Sequence, residues 1–210
     1  NQSKNKNKTM MKKMQKSIAL VVMLAMVALA GQVGVANAAT TGSDSVAITV
    51  TVQETLSMSC DAAIALGTLN AGTPNSATAT CTTTTNSEDG YDLFVKQGTP
   101  AALTHTDTTT TIANKTAFDG SNAATWTGTG LGFRVKETGT SADLQDTTTW
   151  GTDAAAKYAG FPAADVVIAD STVYASASTA VVVEGKVDVA TTQKSGAYNS
   201  NVTFTSTVTP

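Results

Sequence analysis

One histidine, His105, and two cysteines, Cys60 and Cys81, are all that 210 residues offer of the side chains that most often ligate zinc. Two lone cysteines and a single histidine do not make a zinc site. His105 lies in the Thr-rich stretch Leu103–Asp107, which reads as a solvated loop, and no Gly-x-Ser-x-Gly nucleophile elbow accompanies it. The acids are scattered. Glu88 and Asp89 with Asp92, and Asp143 with Asp146, lack the Asp-x-Asp-x-Asp-Gly spacing of a calcium loop and read as turn solvation. Nothing points to the paired acids of glycoside hydrolysis. The sequence therefore predicts no catalytic residue, no cofactor and no metal. Leu, Glu, Lys and Arg are scarce, no amphipathic helix stands out, and no repeat of fixed period is visible.

Threonine fills that space, at about a fifth of the residues after position 38, followed by Ala, Ser, Gly and Val. Thr and Val are stiff at χ1 and suit a pleated surface, so the composition predicts a mostly β protein. Runs such as Thr82–Thr85 and Thr108–Thr111 suggest low-complexity disorder as the rival. Alternating apolar residues elsewhere favour a folded chain.

Residues 10 to 38 read as an export signal. Met10 and Met11 are plausible starts, Lys12, Lys13 and Lys16 are basic, and Ile18 to Leu29 are apolar. Val35-Ala36-Asn37-Ala38-Ala39 then supplies small residues for a signal-peptidase cut between Ala38 and Ala39. A retained anchor is the alternative, since Ile18 to Val35 approaches bilayer-spanning length. Gly31, Gln32, Gly34 and the Ala-Asn-Ala exit favour cleavage, and no Cys follows Ala30-Gly31 for a lipoprotein cut. Six of the thirteen basic residues precede the cut and no acid does, leaving seven against sixteen, a formal net of −9. Such a charge disfavours nucleic acid and anionic membranes as partners. A secreted or cell-surface location is oxidising, so Cys60 and Cys81 are expected to pair. That disulfide closes a loop of about 22 residues, worth roughly 3 kcal/mol by chain entropy.

Residues 39–210 suffice for a single domain. The clearest period-2 pattern is Val46-Ala47-Ile48-Thr49-Val50-Thr51-Val52, which predicts a strand with one buried face. Thr55–Cys60 and Leu66–Leu69 follow as short strands, the latter entering a turn at Ala71–Pro74. Ala77–Thr85 and Gly90–Gln97 read as a hairpin around Asn86–Gly90. Positions 98 to 130 and 139 to 162 read as long loops, the first holding one or two short strands. Leu131–Val135, Asp165–Ala169, Val181–Val189 and Tyr198–Val208 complete eight or nine strands. The expected fold is all-β: an antiparallel immunoglobulin-like β-sandwich, with a closed barrel as second choice.

The order Leu66-Gly67-Thr68-Leu69 with Gly72, then Gly90-Tyr91, then Gly196-Ala197-Tyr198 and Val202-Thr203-Phe204-Thr205 resembles small secreted β-sandwich proteins of bacterial surfaces. It is similar, more distantly, to WxL-type and TasA/camelysin-type matrix proteins. The resemblance covers most of residues 39–210. For the TasA/camelysin group it implies fibre assembly by exchange of an N-terminal strand. Trp126-Thr127-Gly128 departs from the Trp-x-Leu motif, and the resemblance brings no catalytic residues.

The function expected is a self-assembling, pilus-like subunit of a surface filament, layer or matrix. Val46, Ile48, Val50 and Val52 are the candidate exchange residues, and a homo-oligomer or polymer is the expected partner. With no sortase-type tail after the last strand, attachment is expected to be non-covalent or through self-assembly. The alternative is a monomeric adhesion module binding a surface glycan through Trp126 and Trp150, residues more often found anchoring cores or loops. Lys136, Lys186 and Asn201 are weak candidates for isopeptide crosslinks, and Asn114 and Asn201 open glycosylation sequons.

Overall fold

A computed structural model describes residues 43–136, 147–172, 174 and 179–209. Residues 10–38, expected to be an export signal, with Ala39, and the acids Asp143 and Asp146, lie outside the described residues. The chain divides into two units, residues 1–51 and 52–210.

In the first unit, the described residues 43–51 form no strand. The period-2 pattern predicted a strand with one buried face from Val46 to Val52, and the structure departs from it. Val46, Ile48 and Val50 are 84%, 93% and 86% exposed, and Val52, which opens the second unit, is 75% exposed. The alternation is present in the sequence, but no ladder covers it.

The second unit begins with β1 (Leu56–Cys60), β2 (Asn75–Thr85), β3 (Tyr91–Gln97) and β4 (Leu103–His105). It continues through β5 (Thr111–Ile112), β6 (Ala124–Thr125), β7 (Gly130–Lys136) and the one-turn helix α1 (Thr147–Trp150). The last strands are β8 (Lys157–Tyr158), β9 (Val166–Ser171), β10 (Thr179–Asp188), β11 (Tyr198–Asn199) and β12 (Val202–Val208). The two larger sheets have the orders β1-β2-β10-β7 and β12-β3-β9, and their named pairs are all antiparallel. All-β is therefore the observed class. In the small sheets β11-β4-β5 and β6-β8, strands β4, β5, β6 and β8 come from the stretches expected to be mostly loop, while β11 opens the last predicted strand.

Both larger sheets feed one core. Cys81 of β2, Val181, Val183 and Val187 of β10, and Leu131, Phe133 and Val135 of β7 cluster with Tyr91, Leu93 and Val95 of β3. In each strand these residues alternate, as a face packed against another layer requires. Phe133 stacks on Phe161 with ring centroids 4.5 Å apart, while Phe118 and Trp150 close around it. On the other face of β2, the alternate threonines Thr78, Thr80, Thr82 and Thr84 stay partly or fully exposed. A β-branched hydroxyl holds strand geometry there without adding an apolar patch.

The expected hairpin is not formed: β2 and β3 belong to different sheets. Between them, Asn86 Nδ2 donates to Gln53 O, Asn86 Oδ1 accepts from Thr55 N–H, and Ser87 Oγ donates to Glu54. These bonds turn the chain across the core instead of straight back. Leu66–Leu69 forms no strand either, and the last predicted strand is interrupted at Ser200 and Asn201.

Candidate functional site

The described residues bring the unsatisfied surfaces together at one margin of the second unit. There β1, an edge of the first sheet, lies beside β12, an edge of the second. Among the described residues, β1 pairs only with β2 and β12 only with β3. The inward side chains of both strands are half-buried, not buried, in the sequence Leu56, Met58, Cys60 and Val202, Phe204, Ser206, Val208. Beneath them opens a cavity of 590 Å³ that reaches the core residues Ala79, Leu131 and Phe161.

The walls of this opening are fixed. The disulfide Cys60–Cys81 joins directly opposed residues of β1 and β2, as the cysteine count led us to expect. Just beyond it, Asp61 accepts from Thr80 N–H, and Asp61 N–H donates to Thr80 O. Ile64 then seats on β10 at Gly185, where an added Cβ would lie 2.8 Å from Ile64 Cγ2. Asn75 Nδ2 donates to Leu66 O, which holds Leu66 at the rim. Leu66 and Leu103 also line a second cavity, of 630 Å³, which runs on toward Tyr198. Neither Ile64 nor Gly185 stands out as lining in the sequence, because their meeting depends on pairing across more than a hundred positions.

The histidine is not a solvated loop residue. His105 is 8% exposed, packs edge-on against Tyr198, and its Nδ1 accepts from Asp107 N–H. Its Nε2 therefore donates to Ser195 O. Gly196 passes so close that a Cβ there would fall 2.2 Å from Nε2. The Lys194 ammonium, with the N–H and hydroxyl of Thr110, holds the Asp107 carboxyl well below the usual carboxylate range. This cluster ties β4 to the Ser195–Tyr198 turn. Both ring nitrogens are already engaged, which suits a structural histidine.

The two tryptophans do not form a shared platform. Trp150 is 3% exposed and belongs to the core. Trp126 is partly exposed, but the Lys115 and Lys186 ammonium groups already lie over its ring, 4.5 and 5.3 Å from the centroid, with Tyr158 edge-on. Lys136 pairs with Asp153, Lys186 lies over Trp126 and Tyr158, and Asn201 donates to Thr99 O, so these three have different partners. Glu88, Asp89 and Asp92 form no group with metal-binding geometry among the described residues.

A buried ion network escaped the sequence reading. Arg134 of β7 stands opposite Glu184 of β10 and donates to its Oε2 at 2.7 Å, and a second nitrogen reaches Asp153. Tyr158 Oη donates to Glu184 Oε1 at 3.2 Å. Burial, then the Glu184 charge, pushes the Tyr158 hydroxyl up to about 12. Burial lowers the Arg134 pKa, but its bonds to Asp153 and Glu184 carry it above the ordinary value.

Among the described residues no helix is long and apolar enough to cross a membrane. Compared with known proteins, the chain matches no family model, no curated protein and no solved structure.

Proposed function

We propose that this chain is an exported structural protein of the cell surface. Its mature form is an immunoglobulin-like β-sandwich that polymerises into a filament, layer or matrix by exchange of the segment 46–52. One observation carries the reading: four alternating apolar side chains, Val46, Ile48, Val50 and Val52, stand 75–93% exposed. Leaving such a row in water forgoes about 1.5–3 kcal/mol for each side chain that burial would gain. A row of this period gains most by joining a sheet edge, where backbone groups pair and one face is covered. The export signal supports a surface location, and the disulfide fits an oxidising compartment.

The test is electron microscopy of purified residues 39–210 beside a form lacking residues 39–53. Fibres from the first and monomers from the second are expected. A persistent monomer of the longer form removes the reading and returns weight to a glycan-binding module, which a glycan array with a Trp126→Ala control examines.

A further inference from the structure

Resting on that reading, we infer that the acceptor is the opening between β1 and β12 of a second copy. There residues 46–52 of the first copy add to the free edge of β12. Strand exchange specifies a donor but not where it goes, and the unit has more than one free edge. On the far side of the first sheet, β7 is partly covered, because Phe133 and Ala159 exchange backbone hydrogen bonds. At the other margin of the second sheet stands β9, whose residues line no cavity described above. Beside β12, by contrast, the interior lies open down to Ala79, Leu131 and Phe161.

The match is one of length, period and charge. The donor and β12 each span seven residues, about 23 Å at 3.3 Å per residue. In β12 the half-buried Val202, Phe204, Ser206 and Val208 alternate with exposed Thr203, Thr205 and Thr207. The donor repeats this alternation, with Val46, Ile48, Val50 and Val52 set against Ala47, Thr49 and Thr51. Laid along β12, it turns its apolar face to the side on which Val202 and Phe204 wall the opening, and its threonines continue the outward row. A slip of one residue would reverse both faces, so the register is tightly specified. The donor carries no charge between Asp44 and Glu54. Asp61 is the single charged residue lining the opening, and it is already bonded to Thr80 N–H.

The experiment places benzoylphenylalanine at position 48 of the full chain. Labelled and unlabelled copies are mixed and polymerised, the fibres are irradiated, and the cross-linked peptides are mapped. Links from position 48 of one copy to residues 56–66 or 200–204 of another are expected. A reciprocal probe at Met58, returning links to residues 46–52, guards against a donor variant that fails to assemble. A probe on Thr78, exposed on the face of β2 turned away from the opening, gives no such link. Links between copies that map to β9 overturn this acceptor while leaving strand exchange standing. Links confined within one chain, or the absence of polymer with every probe, overturn both.

Discussion

A chain carrying Ile48→Asp and Val50→Asp will stay monomeric while melting at the temperature of the unaltered protein. Both side chains are almost fully exposed in the isolated chain, at 93% and 86%, so replacing them removes no native packing. Surface changes of this kind usually fall within about 0.5 kcal/mol. Seated in another copy, the same positions would face an apolar opening and place two carboxylates where solvation is poor. Burying an unpaired charge costs several kcal/mol, and each 1.4 kcal/mol is tenfold in affinity. Association should therefore weaken by roughly a thousandfold or more. The companion Thr49→Asp and Thr51→Asp, on the outward face, should still assemble. Light scattering with size exclusion, electron microscopy and a thermal melt distinguish the cases. Fibres from the Ile48/Val50 variant would remove 46–52 as the donor.

Glu184→Leu should destabilise the second unit by about 3–5 kcal/mol, because it leaves the Arg134 guanidinium buried without its opposed carboxylate. Tyr158 loses its acceptor in the same step. For a chain of this size the melting temperature should fall by roughly 6–20 °C. Adding Arg134→Met should recover most of the loss, since an apolar pair of similar volume is often as stable as a buried ion pair. A double variant no more stable than Glu184→Leu alone would contradict this account. The network also sets a pH window. The Tyr158 hydroxyl is raised to about 12 in the folded chain, so its contribution is complete below the ordinary tyrosine value, about 10. It is lost as pH rises from there toward 12. Asp153, held below the ordinary range by Arg134, contributes above about pH 4 and loses that contribution as pH falls. A melting series across pH should show both limbs, and Tyr158→Phe should flatten the alkaline one.

Much of the strand pattern was legible. Leu131–Val135 and Val181–Val189 fall in or near observed strands, as does the short apolar run Asp165–Ala169, and Tyr198–Val208 does so apart from its break at Ser200 and Asn201; where alternation marked the strand, a buried face imposes period 2 directly. The cysteine pair was legible by count. The β2–β3 hairpin was misread because adjacency favours a hairpin, while the deciding bonds join Asn86 to Gln53 and Thr55, some 31 to 33 positions away. His105 looked solvated because its neighbours are threonines, but its burial comes from Tyr198 and Gly196, on a distant turn. Arg134 and Glu184 alternate with apolar neighbours, a pattern that does not set them apart from outward charges. Their burial depends on Tyr158 and Asp153, which come from the irregular stretch after β7. For Val46–Val52 the periodicity was plain, but period 2 alone does not say whether a ladder covers the segment, and among the described residues none does.

The cross-strand cystine has a mechanical corollary. A pull on the chain before β1 must first break the bonds of Gln53, Glu54 and Thr55 to Asn86 and Ser87, and then reaches Leu56, the first residue of β1. Peeling from that end opens the rungs Leu56–Thr85, Ser57–Thr84, Met58–Thr83 and Ser59–Thr82 in turn, then meets the covalent rung Cys60–Cys81. Beyond that rung tension can only be handed to β2, whose ladder with β10 must then shear. Oxidation thus caps how far the margin can unravel under load, and a reducing agent would let it tear further before the interior yields.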